Sequence, residues 1–445
     1  MGKSNHINIL IVDGLNILAR YSFLNDTPLY YNSELINIYP TFKFLQVLYN
    51  ISVAFDINQI YVVMEIGRDL KKQRIYNEYK RNRIPISKIN LKRPSESYTL
   101  ISQNRKIIIE ILEKSKIKVI TSLLVEGDTV MYGIVKLISE MSDEEIYEYM
   151  LKHKLINKHK SISFDIYVLS RDSDLFQIFN TNFITKPHIN KIAQIYDFSM
   201  VENEYNVIEL NKNAESYIDV LDFVIHKLTK NSIIEKLKSV YSIDVNMFQK
   251  TYPINLNVLA SIFKVLHGDK TDNIISSISG YGSKSFFNLI LYIFELFINK
   301  VFTVERIDVI DDFISVVDRI ANIDFKSKLL TQKELNKVKS YSREIVSIAK
   351  KPFIGNAFHI NKKLVDLEDS FRNIDINSYV NIKKRIMNNK EVNKNELLNL
   401  LSLYEIDSIF EWSALFNKIL LDGKITFSKN DNIDKLVKNI YKILK

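Results

Sequence analysis

The feature that most constrains this 445-residue chain is a repeated unit: a short apolar run rich in β-branched residues, with a carboxylate at or just beyond its end, alternating with stretches of helical periodicity. Residues 7–12 stop at Asp13-Gly14, and residues 60–64 stop at Glu65. Residues 117–121 are followed by Glu126 and Asp128, and residues 166–170 by Asp172 and Asp174. Such runs read as buried strands. Phe42, Leu45, Val47, Leu48 and Ile51 mark a helix before the second strand, and residues 107–113 and 130–138 mark helices on either side of the third. The alternation predicts an α/β core on a parallel sheet. Beyond about residue 215 the chain reads as mostly helical, including residues 220–228, 258–266 and 286–297, and it continues so to the C-terminus without a strong strand signal. Residues 206–247 carry no assignable motif, and no fixed-period repeat is visible.

In a parallel sheet with helical crossovers, ligands bind at the carboxyl ends of the strands. Asp13, Glu65, Glu126, Asp128, Asp172 and Asp174 are all expected there, and Asp269 and Asp272 lie in the loop His267-Gly268-Asp269-Lys270-Thr271-Asp272-Asn273. Like charges gathered in one place repel, and they hold protons or destabilise the fold unless cations neutralise them. The chain has no cysteine, which excludes disulfides, thiolate zinc sites and cysteine nucleophiles and leaves oxygen or the seven histidines as ligands. Oxygen ligands favour magnesium (Mg2+) or manganese (Mn2+). Two such ions roughly 4 Å apart activate a water and stabilise the leaving oxygen in phosphodiester hydrolysis. Each acid alone also has an ordinary reading: Asp13-Gly14 as a turn, Asp128 and Asp174 as helix caps, Asp269 and Asp272 as loop residues. Their joint placement at successive strand ends is what points to a site.

The formal charge of +9 suits a polyanionic partner. No apolar run is long enough to span a bilayer and no signal peptide pattern is visible, so a soluble, cytoplasmic protein without a membrane role is expected, in a bacterium or a phage-infected cell given the bias to isoleucine, asparagine and lysine. After the second strand comes Lys71-Lys72-Gln73-Arg74-Ile75-Tyr76-Asn77-Glu78-Tyr79-Lys80-Arg81-Asn82-Arg83, followed by Lys88, Lys92 and Arg93. A charge run of this kind is either a solvated helix face or a single-strand contact, in which interleaved tyrosines stack on bases while cations hold the backbone. Lys80 would be placed to stabilise negative charge on a phosphate under attack. Ser279-Gly280-Tyr281-Gly282-Ser283-Lys284 precedes an apolar helix, so its glycines permit a tight turn beside a helix N-terminus that favours phosphate.

In order along residues 7–295, these segments resemble the 5′ nuclease family of flap endonucleases, phage RNase H type exonucleases and the 5′ nuclease domain of bacterial DNA polymerase I. Asp13-Gly14-Leu15-Asn16 with Arg20 resembles the opening strand and turn, and Glu78-Tyr79-Lys80-Arg81-Asn82-Arg83 the Glu-Tyr-Lys-x-x-Arg element. Val125-Glu126-Gly127-Asp128 is similar to Glu-Ala-Asp-Asp, Asp172-Ser173-Asp174 to Asp-x-Asp, and Gly268-Asp269-Lys270-Thr271-Asp272-Asn273 to Gly-Asp-x-x-Asp-Asn. Gly280-Tyr281-Gly282-Ser283-Lys284 resembles the helix-three-turn-helix that grips duplex DNA, commonly with potassium (K+).

The resemblance implies a PIN-like core with a mixed, mainly parallel sheet flanked by helices, two metal sites and a helical arch over about residues 84–115. Lys80 and Arg83 would guide the scissile phosphate, with Arg20 near the strand path and Tyr79, Gly280, Gly282, Ser283 and Lys284 among the DNA contacts. The expected organisation is an α/β core with arch over 1–205, an unassigned elaboration over 206–250, the metal loop and helix-three-turn-helix over 251–300, and a helical region over 301–445. The implied activity is metal-dependent cleavage of flap, branched or 5′-ended DNA, or of RNA:DNA hybrids, in replication or repair, by a monomer that works beside replication proteins. Two departures stand out: Glu65 where the family has aspartate, and Thr129 in place of the second aspartate of Glu-x-Asp-Asp. Loss of that carboxylate should weaken one metal site, which leaves a catalytically weakened branched-DNA-binding protein as the rival expectation. A PIN-like RNA nuclease is the third, for which a duplex grip would be surplus.

Overall fold

The computed structural model describes residues 5–22, 30–31, 36–67, 69–81, 94–122, 124–153, 162–199, 204–242, 254–301, 306–352, 356–390, 392 and 394–404. Eight strands are described: β1 (Asn5–Asp13), β2 (Tyr30–Tyr31), β3 (Ile36–Asn37), β4 (Gln59–Glu65), β5 (Lys118–Ser122), β6 (Ile162–Leu169), β7 (Ile189–Ser199) and β8 (Glu204–Asn211). Six of them form one sheet in the order β5-β4-β1-β6-β7-β8, and β2 and β3 form a small separate ladder. Every pairing in the large sheet is parallel except β7 with β8, so the sheet is mixed and mainly parallel.

Helices cover both faces, which is why the inner strands are apolar on both sides and not alternating. Ile9, Leu10, Ile11 and Val12 of β1 are all buried. Odd-numbered residues Ile7, Ile9, Ile11 and Val63 join one cluster, together with side chains of the helices Gly127–Ser139, Ala214–Thr229 and Leu256–His267. Even-numbered residues Leu10, Val12, Val62 and Met64 join a second cluster with the helices Gly14–Ser22, Tyr39–Ala54 and Pro94–Glu113. The four strands legible in the sequence are thus β1, β4, β5 and β6. The last two strands are not legible there. Polar Asn190, Lys191 and Gln194 interrupt β7, and β8 is an antiparallel edge strand with a half-exposed face, so neither presents a continuous apolar run. Part of the segment read as an unassigned elaboration is therefore this edge strand, which carries the sheet past residue 205.

Of the region expected to form an arch, residues 84–93 lie outside the described residues, and residues 94–113 form one helix. Its Ile107, Ile108, Ile111 and Leu112 are buried in the second cluster, so this part is packed against the core. The helices beyond residue 300 also reach the sheet's layers. Phe371 lies against Gly133, and Asn361 donates to the carbonyls of Val265 and Ile275 at 3.0 and 2.7 Å. Gln177 ties the backbone of Val365 and Leu367 to the loop after β6.

Candidate metal centre

Parallel register brings the carboxyl ends of β1, β4 and β6 side by side, with Asp13 opposite Val63 and Val12 opposite Leu169. Asp13 closes β1 and accepts from the Asn16 amide at 3.0 Å and the Ser170 hydroxyl at 2.9 Å. Glu65 closes β4, two residues beyond the partner of Asp13. Asp128 sits in the first turn of the helix Gly127–Ser139 that follows β5. After β6, Asp172 caps the short helix Ser173–Ile178 by accepting from the Asp174 amide at 2.9 Å. One oxygen each from Asp128, Asp172 and Asp174 lies within 4.8 Å of the others, the set that could hold a metal ion among the described residues.

The protonation of these acids shows how crowded they are. Burial, then the neighbouring Asp174 and Asp128, push Asp172 from 3.8 up to about 8. Burial, then Glu126 and Asp128, push Glu65 from 4.5 to about 7. Burial moves Asp13 from 3.8 to about 6, with Asp128 adding to the rise. Asp128 is also raised, first by burial and then by Glu126 and Asp174, although Lys80 opposes the shift. Groups so placed favour a cation that would let them ionise together. An all-oxygen donor set of this kind fits a hard divalent ion.

Two acids are held differently. Burial works against ionised Glu126, but the ammonium groups of Lys72 and Lys80 outweigh it and bring its carboxyl down to about 2. Asp269 also lies at about 2, because Lys264 and the Thr271 hydroxyl more than offset its burial. Lys264 bridges the turn after β6 and the loop 268–273, pairing with Asp174 and with Asp269 at 2.9 Å. Asp272 is buried, its carbonyl accepts from the Lys80 amide at 2.8 Å, and its carboxylate lies 3.8 Å from the Lys80 ammonium. The eight acids named from the sequence are therefore joined in one electrostatic network, with three lysines interleaved.

Two residues of the basic segment face inward. Tyr79 is 3% exposed and donates its hydroxyl to Glu126, so it offers no stacking face to a base. Lys72, read as part of a charged run, is 4% exposed and also turns inward. Arg83 lies outside the described residues. Arg20 donates to the Phe198 carbonyl at 3.1 Å and stacks over the Phe198 ring at 4.4 Å, at the end of β7. Gly280 adopts φ +69°, a left-handed conformation that favours glycine, and its carbonyl accepts from Tyr341 at 2.9 Å. Gly282 caps the helix Ser283–Ile298, and the exposed Lys284 stands 3.2 Å from Glu334. Thr129 is buried and its hydroxyl has no hydrogen-bond partner among the described residues.

Sequence reasoning missed Lys264 and Gln194. Lys264 is the single lysine on a largely apolar helix, five residues before Asp269, and that isolation was the available signal. Gln194, fully buried in β7, donates to the carbonyls of Ser170 and Asp172 and so fixes the loop that carries two of the acids. A cavity of about 360 Å³ lies elsewhere, between Lys136, Asn182, Asn257 and Glu368, and is lined by none of the eight acids.

No protein-family model matches the sequence, and no curated protein sequence does. Among solved structures the chain is similar to the T5 5′-exonuclease with bound zinc, at a TM-score of 0.48 and 15% identity over 85% of this chain and 98% of that one. It is likewise similar to the bacteriophage T5 flap endonuclease in a pseudo-enzyme-product complex with DNA and metal ions, at a TM-score of 0.44 and 14% identity over 89% of this chain and 99% of that one. Among the described residues, no helix is long and apolar enough to cross a membrane.

Proposed function

We propose that this chain is a divalent-metal-dependent 5′ nuclease that hydrolyses phosphodiester bonds at a flap or 5′ end of DNA, or of an RNA:DNA hybrid, during replication or repair. The observation that carries the reading is the convergence of Asp128, from the helix start after β5, with Asp172 and Asp174, from the helix start after β6, at the carboxyl edge of the sheet. These three would hold one magnesium or manganese ion, and a second would draw on Asp13 and Glu65, whose carboxyls both feel Asp128. A divalent ion held there would supply an acidified water and a Lewis acid for a phosphate oxygen. The chain's own groups do the rest. Lys80, whose ammonium stays charged because Glu126, Asp128 and Asp272 outweigh its burial, meets negative charge developing on the phosphate. Lys264 holds Asp174 and Asp269 in place, and Gln194 and Ser170 fix the loop geometry. The glycine turn and Lys284 would face the duplex arm.

Incubating the protein with 5′-labelled flap DNA and either magnesium or EDTA tests the reading: metal-dependent release of a 5′ product is expected, and no cleavage with magnesium or manganese rejects it. A second reading, a branched-DNA-binding protein with a weakened site, is favoured by the unpartnered Thr129 hydroxyl where a carboxylate was expected. It predicts salt-sensitive DNA binding without cleavage.

A further inference from the structure

Both oxygens of Glu126 are occupied by side chains of this chain. Oε2 accepts from the Lys72 ammonium at 2.7 Å, Oε1 from the Lys80 ammonium, and the Tyr79 hydroxyl lies 2.9 and 3.0 Å from the two. A carboxylate offers about four lone-pair sites, so little capacity remains for an added cation. Glu126 is also absent from the group of converging oxygens formed by Asp128, Asp172 and Asp174. Its two ammonium partners differ. The side chain of Lys72 is 5% exposed and sits on a helix, Leu70–Ile75, whose first turn is capped by Asp69. That of Lys80 is 18% exposed, and its backbone is held at φ +52° with its amide on Asp272. Of the two, Lys80 is the nearer to solvent.

We propose that Glu126 anchors Lys80 and is not a metal ligand, and that Lys72 is a positioning residue: a fixed, buried counter-ion that keeps Glu126 neutralised when Lys80 turns to the substrate phosphate. One carboxylate between two ammonium groups leaves a balanced pair once Lys80 departs. Without Lys72, the same departure strands a buried carboxylate, a costly state, and Lys80 stays on Glu126. The turnover part of this inference rests on the nuclease reading; the metal part does not.

The test compares wild type with Lys72→Met, Lys72→Arg, the charge-neutral pair Lys72→Met with Glu126→Gln, and Asp172→Asn as reference. Calcium binding is measured by titration calorimetry without DNA, flap affinity by anisotropy in calcium, and single-turnover cleavage in magnesium. The charge-neutral pair should bind calcium within about threefold of wild type, while Asp172→Asn should bind roughly tenfold or more weakly. Lys72→Met should cleave roughly tenfold or more slowly at unchanged flap affinity and with calcium binding no weaker, and Lys72→Arg should cleave near the wild-type rate. The inference is overturned if the charge-neutral pair loses calcium as Asp172→Asn does, or if Lys72→Met cleaves at the wild-type rate. If Lys72→Met alone fails to fold, the charge-neutral pair still decides the role of Glu126. If wild type cleaves no flap, the nuclease reading falls, and the calcium comparison continues to decide it.

Discussion

Raising the pH from about 5 to about 8 in EDTA should destabilise the protein, and magnesium should restore the loss most strongly at the alkaline end. Asp13 is displaced from 3.8 to about 6 and Glu65 from 4.5 to about 7, in both cases mainly by burial and then by neighbouring carboxylates. Each displacement corresponds to roughly 3 kcal/mol, and because the two share neighbours their effects do not simply add. The folded state holds protons here that the unfolded chain has already released. Unfolding therefore releases protons across this window, and stability falls as pH rises through it. Glu126 and Asp269, both lowered to about 2, act in the opposite sense: the stability they contribute is present above their ordinary values and is lost as pH falls toward 2. The metal-free protein should thus be most stable near about pH 5. For a chain of this length 3 kcal/mol corresponds to about 3 °C in Tm. Magnesium selects the ionised acids, so its stabilisation should grow from small at about pH 5 to several degrees at about pH 8, with proton release on binding. Thermal melts with EDTA or magnesium at several pH values measure this. A metal-free Tm that stays flat or rises over the interval, or a magnesium increment that does not change with pH, would refute the crowding argument.

Three further outcomes are expected. Replacing Asp172→Asn together with Asp174→Asn should bring flap cleavage to background while leaving DNA affinity in EDTA unchanged, and retained turnover would remove both residues from the site. Lys80→Ala should lower kcat by about 100-fold or more while DNA affinity changes little, and an unchanged rate at saturating substrate would contradict its role at the phosphate. In the helix Gly127–Ser139, a Cβ on Gly133 would overlap the Phe371 ring, so Gly133→Ala should cost about 1–3 kcal/mol of stability in urea melts, partly offset by about 1 kcal/mol of helix propensity. Equal or greater stability of that variant would mean the helix Leu367–Arg372 is not clamped on the core.

The likeness between pattern and structure is uneven for physical reasons. β1, β4, β5 and β6 were legible because each carries a short run of buried apolar residues, and six of the eight acids were legible because they terminate or follow such a run. β7 and β8 were not, since an edge pairing tolerates polar residues such as Lys191 and Glu209, which satisfy each other at 3.0 Å across the strands. In the basic segment, composition could not distinguish a lysine that faces solvent from Lys72, which faces a buried carboxylate 54 positions away.

Local sequence alone determined the α/β class, the helical character of the described residues beyond 214 and the placement of Asp13, Glu65, Asp128 and Asp172 at or after strand ends, because periodicity and punctuation are properties of a few neighbouring residues. Tertiary structure alone decided that Asp128, Asp172 and Asp174 converge, that Lys72, Lys80 and Lys264 thread between the acids, and that Tyr79 turns inward. These are distances and burials between residues far apart in the chain. They are set by strand register and helix packing, and no local pattern encodes them.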